Sequence, residues 1–278
     1  MWQKSYDNSP TLYLVPTPIG NLEDITFRAL NVLKEVEVIF SEDTRVTGLL
    51  LNHFELKKKL IALHEHNENI KKEEVLNYLK NNRSVAIVTD RGTPIISDPG
   101  YKTVKYIIEN NYNVVALPGA CAFVPALISS GLSPDQFLFC GFLNSKKSKR
   151  EEELKKLNKI PYTIILYEAP HRIKDTIDSI LNIFGDRQIC LAREISKKFE
   201  SIYRGKVSDI KFDINDTKGE FVIVIEGCNE VLTNIDPIIQ VENYINEGLE
   251  VMEAIKKVAK EQKIPKGEIY KEYHRRGK

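Results

Sequence analysis

Three ionisable residues, Glu42, Asp43 and Arg45, lie in the segment 41–45 that follows the predicted strand 36–40. A carboxylate at the end of a strand can accept a proton from a substrate, which is the role of a general base. The same side chains could instead neutralise one another at the start of a helix, where an acidic residue caps the first turn. The sequence leaves both roles open.

A second charged group surrounds Pro170. Glu168 comes just after the apolar run 163–167, and His171 and Arg172 follow the proline. Because proline suits the first position of a helix, we expect Glu168 at the end of a strand and Arg172 in the first helical turn. A cation there opposes the helix dipole, so the position of Arg172 favours anion binding over a structural role.

The stretch 85–100, VAIVTDRGTPIISDPG, contains the most informative loop. Its four leading apolar residues predict a buried parallel strand, and the segment that follows contains Gly92, Pro94, Pro99 and Gly100. These residues let main-chain groups approach a ligand closely. Loops at the carboxyl ends of strands are where α/β sheets bind ligands, although a tight turn that only packs would have the same composition.

Strands and helices alternate five times between residues 11 and 130. This alternation predicts an α/β domain built on a mostly parallel sheet with helices on both faces. We expect its first helix to begin near Asp24, whose side chain can cap the first turn. The loops after its strands should share one sheet edge and together wall a cleft. They span residues 16–21, 41–45, 64–68, 90–100 and 118–121.

The rest of the chain divides into an arm, a second domain and a helical tail. Residues 1–10 are polar and predict a flexible arm, and 131–135 are typical of a linker. Residues 131–230 predict a mixed α/β domain, in which the alternating segment 199–203 should be an antiparallel strand. Residues 236–278 contain helical patterns only and predict a basic helical tail.

Composition and motifs exclude several classes of protein. The 278 residues include 40 Lys and Arg against 39 Asp and Glu, so any basic surface must be local. No phosphate-loop, G-x-S-x-G or H-E-x-x-H sequence occurs, and no G-x-G-x-x-G follows the first strand. These absences remove the commonest NTPase, hydrolase, metalloprotease and dinucleotide-binding interpretations.

Cysteine and histidine usage predicts no metal site. The four cysteines lie far apart without a C-x-x-C pair, which argues against zinc and predicts reduced thiols. His64 and His66 would point to opposite sides of an extended segment. The N-terminus has no signal-peptide core and the chain no apolar run of 18 residues, so we expect a cytoplasmic protein without membrane contact.

Basic residues concentrate near the C-terminus, where 254–278 carry nine Lys or Arg against three Glu. A short helix, a turn and a second basic helix are compatible with a helix-turn-helix-like nucleic-acid module, with a solvated helical cap as the alternative. Lys197 and Lys198 follow an apolar strand and suit the phosphates of a polymer. The basic run 146–150 is better explained as a solvated face.

Eight segments of the chain are informative when taken together. They are LYLVPTPIGNLEDITFRAL, SEDTR, LHEHNE, TDRGTPIISDPG, LPGACA, LYEAPHRI, LAREISKKFE and GEFVIVIEG. In order and spacing they resemble the ribosomal RNA small subunit methyltransferase I family, which has the tetrapyrrole methylase fold. The resemblance covers nearly the whole chain. It implies an α/β protein with two domains, a parallel-sheet N-terminal domain and a mixed-sheet second domain, and a small helical C-terminal tail.

The resemblance also implies an activity. A member of this family transfers a methyl group from S-adenosyl-L-methionine to the ribose 2′-hydroxyl of a cytidine in the decoding region of 16S rRNA. The protein would be a homodimer, with the methyl donor held between the two domains. The donor site would contain Pro16, Gly92, Thr93, Pro94, Ile96, Ser97, Cys121, Ala122, Tyr167, Glu220 and Phe221. Contacts to RNA would come from Arg45, Arg172, Lys197, Lys198, Arg275 and Arg276.

The chain departs from the family pattern in two places. Arg91 stands where a small residue is usual, and Ala120 and Cys121 stand where a proline and a serine are usual. A cation beside the sulfonium of the donor is unfavourable, so we expect the Arg91 guanidinium to point away from it.

The candidates to hydrogen-bond the 2′-hydroxyl and take its proton are Glu42, Asp43 and Glu168, and the sequence does not choose among them. The chemistry requires no metal. Two alternatives stay open. One is a small-molecule methylase of the same fold that acts on a tetrapyrrole, which would need no basic tail. The other is a ribosome assembly factor that keeps the donor cleft but has lost turnover.

Overall fold

The computed structural model of the protein describes residues 2–5, 7–210, 218–228, 236–262 and 264–276. Met1 and Tyr6 of the predicted arm lie outside this range, as do the predicted domain boundaries at 230 and 278. Within the arm, the side chain of Gln3 exchanges two hydrogen bonds with the backbone of Val114, at 2.8 and 2.9 Å.

The N-terminal half contains a five-stranded sheet in the order β3-β2-β4-β1-β5, with every neighbouring pair parallel. Its strands are β1 (Thr11–Leu14), β2 (Val38–Ser41), β3 (Lys59–Ala62), β4 (Val85–Val88) and β5 (Asn113–Ala116). The helices between them are α1 (Phe27–Glu35), α2 (Thr44–His53), α3 (Glu68–Lys80) and α4 (Tyr101–Glu109). The predicted α/β alternation is confirmed.

Both faces of this sheet are covered, which explains why its central strand β4 is apolar throughout. On one face, Leu33 of α1 and Leu51 of α2 pack against Val88. On the other, Leu79 of α3 and Ile107 of α4 pack in the cluster that contains Phe40, Val85 and Ile87. All four residues of β4 are buried, so the loop that follows leaves a rigid element.

The predicted start of the first helix is wrong by three residues. Residues Leu22–Asp24 form a single helical turn capped by Asn21, and α1 begins at Phe27. The Thr26 hydroxyl, rather than Asp24, caps α1 by accepting a hydrogen bond from the Ala29 amide at 3.0 Å. Aspartate and threonine are both good caps, so sequence preference alone did not decide between them.

The second half contains a mixed five-stranded sheet in the order β6-β7-β10-β8-β9. The strands are β6 (Phe137–Phe142), β7 (Thr163–Glu168), β8 (Gln188–Arg193), β9 (Ser201–Lys206) and β10 (Phe221–Ile225). Strands β6 and β7 are parallel and the other neighbours antiparallel. The predicted mixed sheet is confirmed, but β9 begins two residues after the predicted start, which leaves Phe199 outside it and exposed.

Helices cover both faces of the second sheet. Helices α6 (Lys147–Leu157) and α7 (Ile173–Phe184) pack on one face, and α5 (Phe123–Ser130) packs on the other through Ala126 and Leu127. Helix α5 therefore follows the first sheet in sequence but buries its apolar side against the second. The short connection from β5 to α5 consequently crosses from one sheet to the other.

The C-terminal segment forms three helices, α8 (Pro237–Asn246), α9 (Val251–Gln262) and α10 (Lys266–Arg276). They have a small core of their own, in which Val241, Ile255, Val258 and Ile269 are buried. Arg276 at the end of α10 donates to Asp236 at the start of α8, which closes the bundle. In the described part of the chain, no helix has the length and apolarity needed to cross a membrane.

Candidate active site

A cavity of about 620 Å³ lies between the carboxyl ends of the first sheet and the second sheet. This volume is within the range of small-molecule and cofactor sites. From the first half it is lined by Ile19, Glu42, Val46, residues 89–93 and 96–98, Cys121 and Ala122. From the second half it is lined by Phe142, residues 167–171, Glu194, Ile195, Lys197 and residues 220–222.

The prediction that five loops share this cleft is correct for four of them. Among the described residues that line the cavity, none comes from 64–68. That loop follows β3, which is the edge strand beyond β2, and alternation in sequence does not reveal the order of strands. The loop after β4, in contrast, leaves the central strand and makes the largest contribution from the first half.

The loop after β4 has an unusual backbone. Ile95 and Ser97 adopt positive φ angles of 76° and 66°, a conformation that is a marked outlier for a β-branched residue. The loop is fixed at its start by paired hydrogen bonds between the backbones of Thr17 and Gly92, at 2.9 and 3.0 Å. Strained backbone of this kind persists where the surroundings impose it, and such positions cluster at ligand sites.

Nine of the eleven residues predicted to bind a donor line the cavity. They are Gly92, Thr93, Ile96, Ser97, Cys121, Ala122, Tyr167, Glu220 and Phe221. Pro16 and Pro94 are buried and do not line it. Pro16 lies so close to Gly119 that a Cβ at the glycine would be 2.6 Å from the proline Cβ. Pro16 therefore supports the turn at 118–120 from below. That these residues bind the methyl donor remains a prediction.

Two side-chain contacts join the loops around the cavity. The Thr93 hydroxyl donates to the carbonyl of Ala120 at 2.9 Å, which links the loops after β4 and β5. Tyr167, at the end of β7, lies against Cys121, and burial together with this thiol raises the pKa of the phenol above its ordinary value. Tyr167 is therefore a neutral hydrogen-bonding group on the cavity wall.

Asp43 and Arg45 form a capping group at the start of α2. The Asp43 carboxylate accepts from the Arg45 amide at 2.8 Å and from the Arg45 guanidinium at 2.6 Å. The hydrogen bonds from the Arg45 side chain and amide lower the Asp43 pKa to about 2. A carboxylate so strongly stabilised in its charged form is a weak proton acceptor.

Glu168 is buried at the end of β7, and each of its oxygens is already engaged. One accepts from the Ala169 amide at 2.8 Å and lies 3.2 Å from Nε of Arg172. The other accepts from the Thr176 hydroxyl at 2.5 Å. Arg172 also donates to the carbonyl of Leu143 at 2.6 Å. Arg172 occupies the N-cap position of α7 without a capping hydrogen bond from its side chain, and α7 begins at Ile173 rather than before Arg172 as predicted. Glu168 therefore has the surroundings of a residue that fixes the turn after β7.

Glu42 and Asp98 meet at one buried hydroxyl. Thr89, at the end of β4, donates to Glu42 at 3.1 Å and also contacts the Asp98 carboxyl. Burial, opposed by the contact with Thr89, and the nearby charges of Glu42 and Asp90 raise the Asp98 pKa to about 6. Asp98 was not among the residues predicted from the sequence, although it lies inside the loop predicted to bind a ligand and directly follows Ser97, whose φ angle is positive.

Two of the cations predicted to contact RNA are engaged within the protein. The Lys197 ammonium lies 2.7 Å from both Glu194 and Glu220, and only 18% of the lysine side chain is exposed. Burial is the largest single influence and raises the pKa of Glu194, but the hydrogen bonds from Lys197 and the Glu220 amide, together with the charges of Lys197 and Arg91, outweigh it and the pKa is lowered. The Arg172 side chain is similarly 17% exposed.

The other predicted RNA contacts are exposed. Arg45 and Lys198 lie on the surface, although Arg45 also pairs with Asp43. Arg275 and Arg276 lie on the outer end of α10, where both pair with Glu272 and Arg276 also pairs with Asp236. Surface ion pairs of this kind are weak, so these cations remain available to a polyanion.

Arg91 stands where the family that the sequence resembles usually has a small residue. Its side chain extends along the cavity wall to Glu220. Its guanidinium donates to that carboxylate at 2.9 Å, and more than half of each side chain is exposed. Glu220 therefore joins Arg91 and Lys197 in one charged bridge. Among the described residues that line the cavity, carboxyl groups outnumber lysine and arginine cations, which favours a positively charged ligand.

Comparison with known proteins gives consistent matches. Residues 11–211 match the model of the Tetrapyrrole (Corrin/Porphyrin) Methylases family. The chain is 45% identical over 276 residues to Ribosomal RNA small subunit methyltransferase I of Bacillus subtilis strain 168, covering 95% of this chain and 94% of the relative. It is 46% identical over 230 residues to the protein of that name from Escherichia coli O157:H7, covering 81% and 80%.

Solved structures share the fold at low sequence identity. The methyltransferase CobJ superposes with a TM-score of 0.59 and 14% identity, covering 80% of this chain and 95% of that one. Uroporphyrin-III C-methyl transferase from Thermus thermophilus, complexed with S-adenyl homocysteine, gives a TM-score of 0.54 and 17% identity, covering 77% and 96%.

Proposed function

The chain belongs to the tetrapyrrole methylase family and, within it, to the ribosomal RNA small subunit methyltransferase I family, and we propose that it methylates the ribose 2′-oxygen of a cytidine in the decoding region of 16S rRNA. The observation that carries this proposal is the identity of 43–45% over nearly the whole chain with relatives of that name. Its tail and second domain are included in the match, so the similarity extends beyond the methylase core.

S-adenosyl-L-methionine is the methyl donor of this family and of this chain. It supplies a methyl carbon activated by a positively charged sulfur. The cavity fits such a molecule in volume and in charge, because Glu42, Asp90 and Asp98 lie on one wall. Apolar and aromatic side chains, among them Ile96 and Phe221, offer a surface for the adenine ring. The Arg91 cation is drawn to Glu220 and its charge is offset there.

The main catalytic contribution of this chain is positioning. Alignment of the attacking oxygen with the methyl carbon can contribute roughly 7–11 kcal/mol, whereas a general base adds about 10²–10⁴-fold, or roughly 3–6 kcal/mol. The rigid strands β4 and β7 end at the cavity, and the loop after β4 is tied to Thr17 and Ala120. These connections hold the two reactants at a fixed distance.

We assign RNA contacts to the exposed cations near the cavity and on the tail. Arg45 follows β2, and Lys198 lies beside the exposed ring of Phe199 with its ammonium 5.7 Å from the ring centroid. An exposed aromatic ring next to a cation suits a base displaced from a single-stranded loop. Arg275 and Arg276 on α10 would contact phosphates farther from the reacting ribose.

A homodimer in the cytoplasm is the form we propose for the active protein. The face of α5 that points away from the second sheet carries Val124 and Ile128, which are 45% and 72% exposed. Phe137 and Leu138 on the adjacent edge strand β6 are also exposed. An apolar surface of this kind is typical of an interface between protein chains.

The test compares three acceptors with labelled S-adenosyl-L-methionine: small ribosomal subunits that lack the modification, naked 16S rRNA, and uroporphyrinogen III. The proposal predicts label in RNA and none in the tetrapyrrole. Label in the tetrapyrrole alone would support the small-molecule alternative. Donor binding without transfer to any acceptor would support an assembly factor.

A further inference from the structure

One buried hydroxyl lies between two carboxyl groups on the cavity wall. Thr89 is 3% exposed, donates to Glu42 at 3.1 Å and contacts Asp98. A hydroxyl has one proton and can donate to only one carboxyl at a time. The hydrogen bond to Glu42 uses that proton, so while it is formed the Asp98 carboxyl keeps the capacity to accept a proton from a substrate.

The other carboxyl groups nearby are committed elsewhere. Asp43 pairs with Arg45, and Glu168 accepts two hydrogen bonds and forms an ion pair with Arg172 in the turn after β7. Asp90 accepts from the Asp43 amide at 3.0 Å. Glu220 and Glu194 both pair with Lys197 across the cavity. Glu42 and Asp98 are therefore the two lining carboxyl groups that share one hydroxyl, rather than being held by an ion pair or, as Asp90 is, by a backbone amide.

The charged and titratable groups around Asp98 come from three elements. Glu42 follows β2, Asp90 precedes Asp98 in the loop after β4, and Tyr167 faces Asp98 from the second sheet. Burial and the two carboxylates raise the Asp98 pKa to about 6, while the Thr89 contact lowers it. A base is most effective when its pKa lies near the working pH, because it is then ionised yet still binds a proton.

We propose that Asp98 is the general base of the reaction and that Glu42, acting through Thr89, sets its proton affinity. This inference rests on the proposed function, which supplies the hydroxyl. In the step, a bond forms between the ribose O2′ and the methyl carbon while the carbon–sulfur bond breaks and leaves its electron pair on sulfur. The hydroxyl proton moves to the Asp98 carboxylate, so atoms and charge balance.

The first test measures single-turnover methyl transfer to unmodified small subunits between pH 5 and 9, at saturating donor. The wild-type rate should rise with pH to a plateau above about pH 6, as Asp98 ionises. Asp98→Asn should lower the plateau rate about 100-fold or more and remove this rise, measured at a donor concentration that saturates the variant as well as the wild type. Asp178→Asn, an exposed substitution of the same kind on α7, is the matched control and should behave as wild type.

A second variant distinguishes the two carboxyls. Glu42→Gln removes a negative charge beside Asp98, so the rise of the rate should shift to lower pH by about one unit while the plateau falls less than for Asp98→Asn. The reverse pattern, in which Glu42→Gln abolishes transfer and Asp98→Asn only shifts the profile, would overturn the assignment.

A third readout needs no reaction. A carboxyl whose pKa is raised by folding stabilises the folded state below its unfolded pKa and loses this stabilisation as the pH rises through about 6. The melting temperature of Asp98→Asn should therefore exceed that of the wild type at pH 7.5 by about 2–4 °C, and the difference should vanish near pH 4. A difference that does not change with pH would contradict the environment described for Asp98.

Failure of this inference can be told from failure of the proposed function. If the wild type places no label on a ribose 2′-oxygen, the proposed function and the role of Asp98 are both refuted. If the wild type labels the ribose and Asp98→Asn retains its rate and pH profile, only the role of Asp98 is refuted.

Discussion

Glu168→Gln tests whether the buried carboxylate after β7 is structural. The glutamine can keep one of the two donors, Ala169 or Thr176, but its amide group would face the other. Arg172, whose side chain is 17% exposed, would lose its partner at 3.2 Å. The variant should therefore fold less stably than the wild type.

The magnitude follows from these contacts. An unsatisfied buried hydrogen-bonding group costs about 1–3 kcal/mol, and breaking a fully buried ion pair costs about 3–5 kcal/mol. Arg172 keeps its bond to Leu143 and is partly solvated, so we expect a total of about 2–4 kcal/mol. For a chain of this size that loss lowers the melting temperature by about 5–10 °C.

The assay combines thermal unfolding with single-turnover transfer below the melting transition. Thr176→Val removes one donor to Glu168 and should cost about 1–2 kcal/mol. The double variant Glu168→Gln with Arg172→Met removes both charges and should be more stable than the sum of the single losses predicts. Wild-type stability together with a 100-fold slower transfer in Glu168→Gln would refute this reasoning and make Glu168 a proton acceptor.

Three further predictions concern the RNA and donor sites. Lys197→Met should lower stability with little change in RNA affinity, because Lys197 is held in ion pairs within the protein. Lys198→Met should instead weaken RNA binding at an unchanged melting temperature. Thermal unfolding and RNA-binding titrations at two salt concentrations distinguish the two variants, and the opposite pattern would contradict the ion pairs at Lys197. Deletion of residues 236–278 should weaken RNA binding and flatten its salt dependence without changing donor affinity, and RNA affinity that survives the deletion would make the tail a cap or a dimer element. Gly92→Ala places a Cβ on backbone with a φ of 87°, only 3.2 Å from Cγ2 of Ile19. The loop should therefore shift, and the donor affinity measured by calorimetry should fall at least about tenfold. Unchanged affinity would show that this loop does not hold the donor.

The fold could be predicted from the sequence because its signals are local. An all-apolar run such as β4, buried on both sides, predicts a parallel strand, and the segments between such runs have helical periodicity. The errors occur at boundaries where two acceptable caps compete, as Asp24 and Thr26 do at α1. They also occur where the partner of an element is decided by tertiary packing, as for α5.

The site could be predicted only in outline. Glycine and proline content marked the loop after β4, and most residues expected there line the cavity. The chemistry depends on contacts distant in sequence: Thr89 meets Glu42 from 47 residues away, and Arg91 meets Glu220 from 129 residues away. No spacing rule reveals such pairs. The ion pairs of Lys197 and Arg172 could not be predicted either, because no spacing rule identifies their partners.

The most direct test of the central claim is the position of the methyl group. Small subunits lacking the modification are incubated with the protein and labelled S-adenosyl-L-methionine, and the 16S rRNA is then digested to oligonucleotides whose sequence and modified nucleotide are identified by mass spectrometry. The account predicts one label, on the ribose 2′-oxygen of a single decoding-region cytidine. A label on a base, or on ribose outside the decoding region, would contradict it.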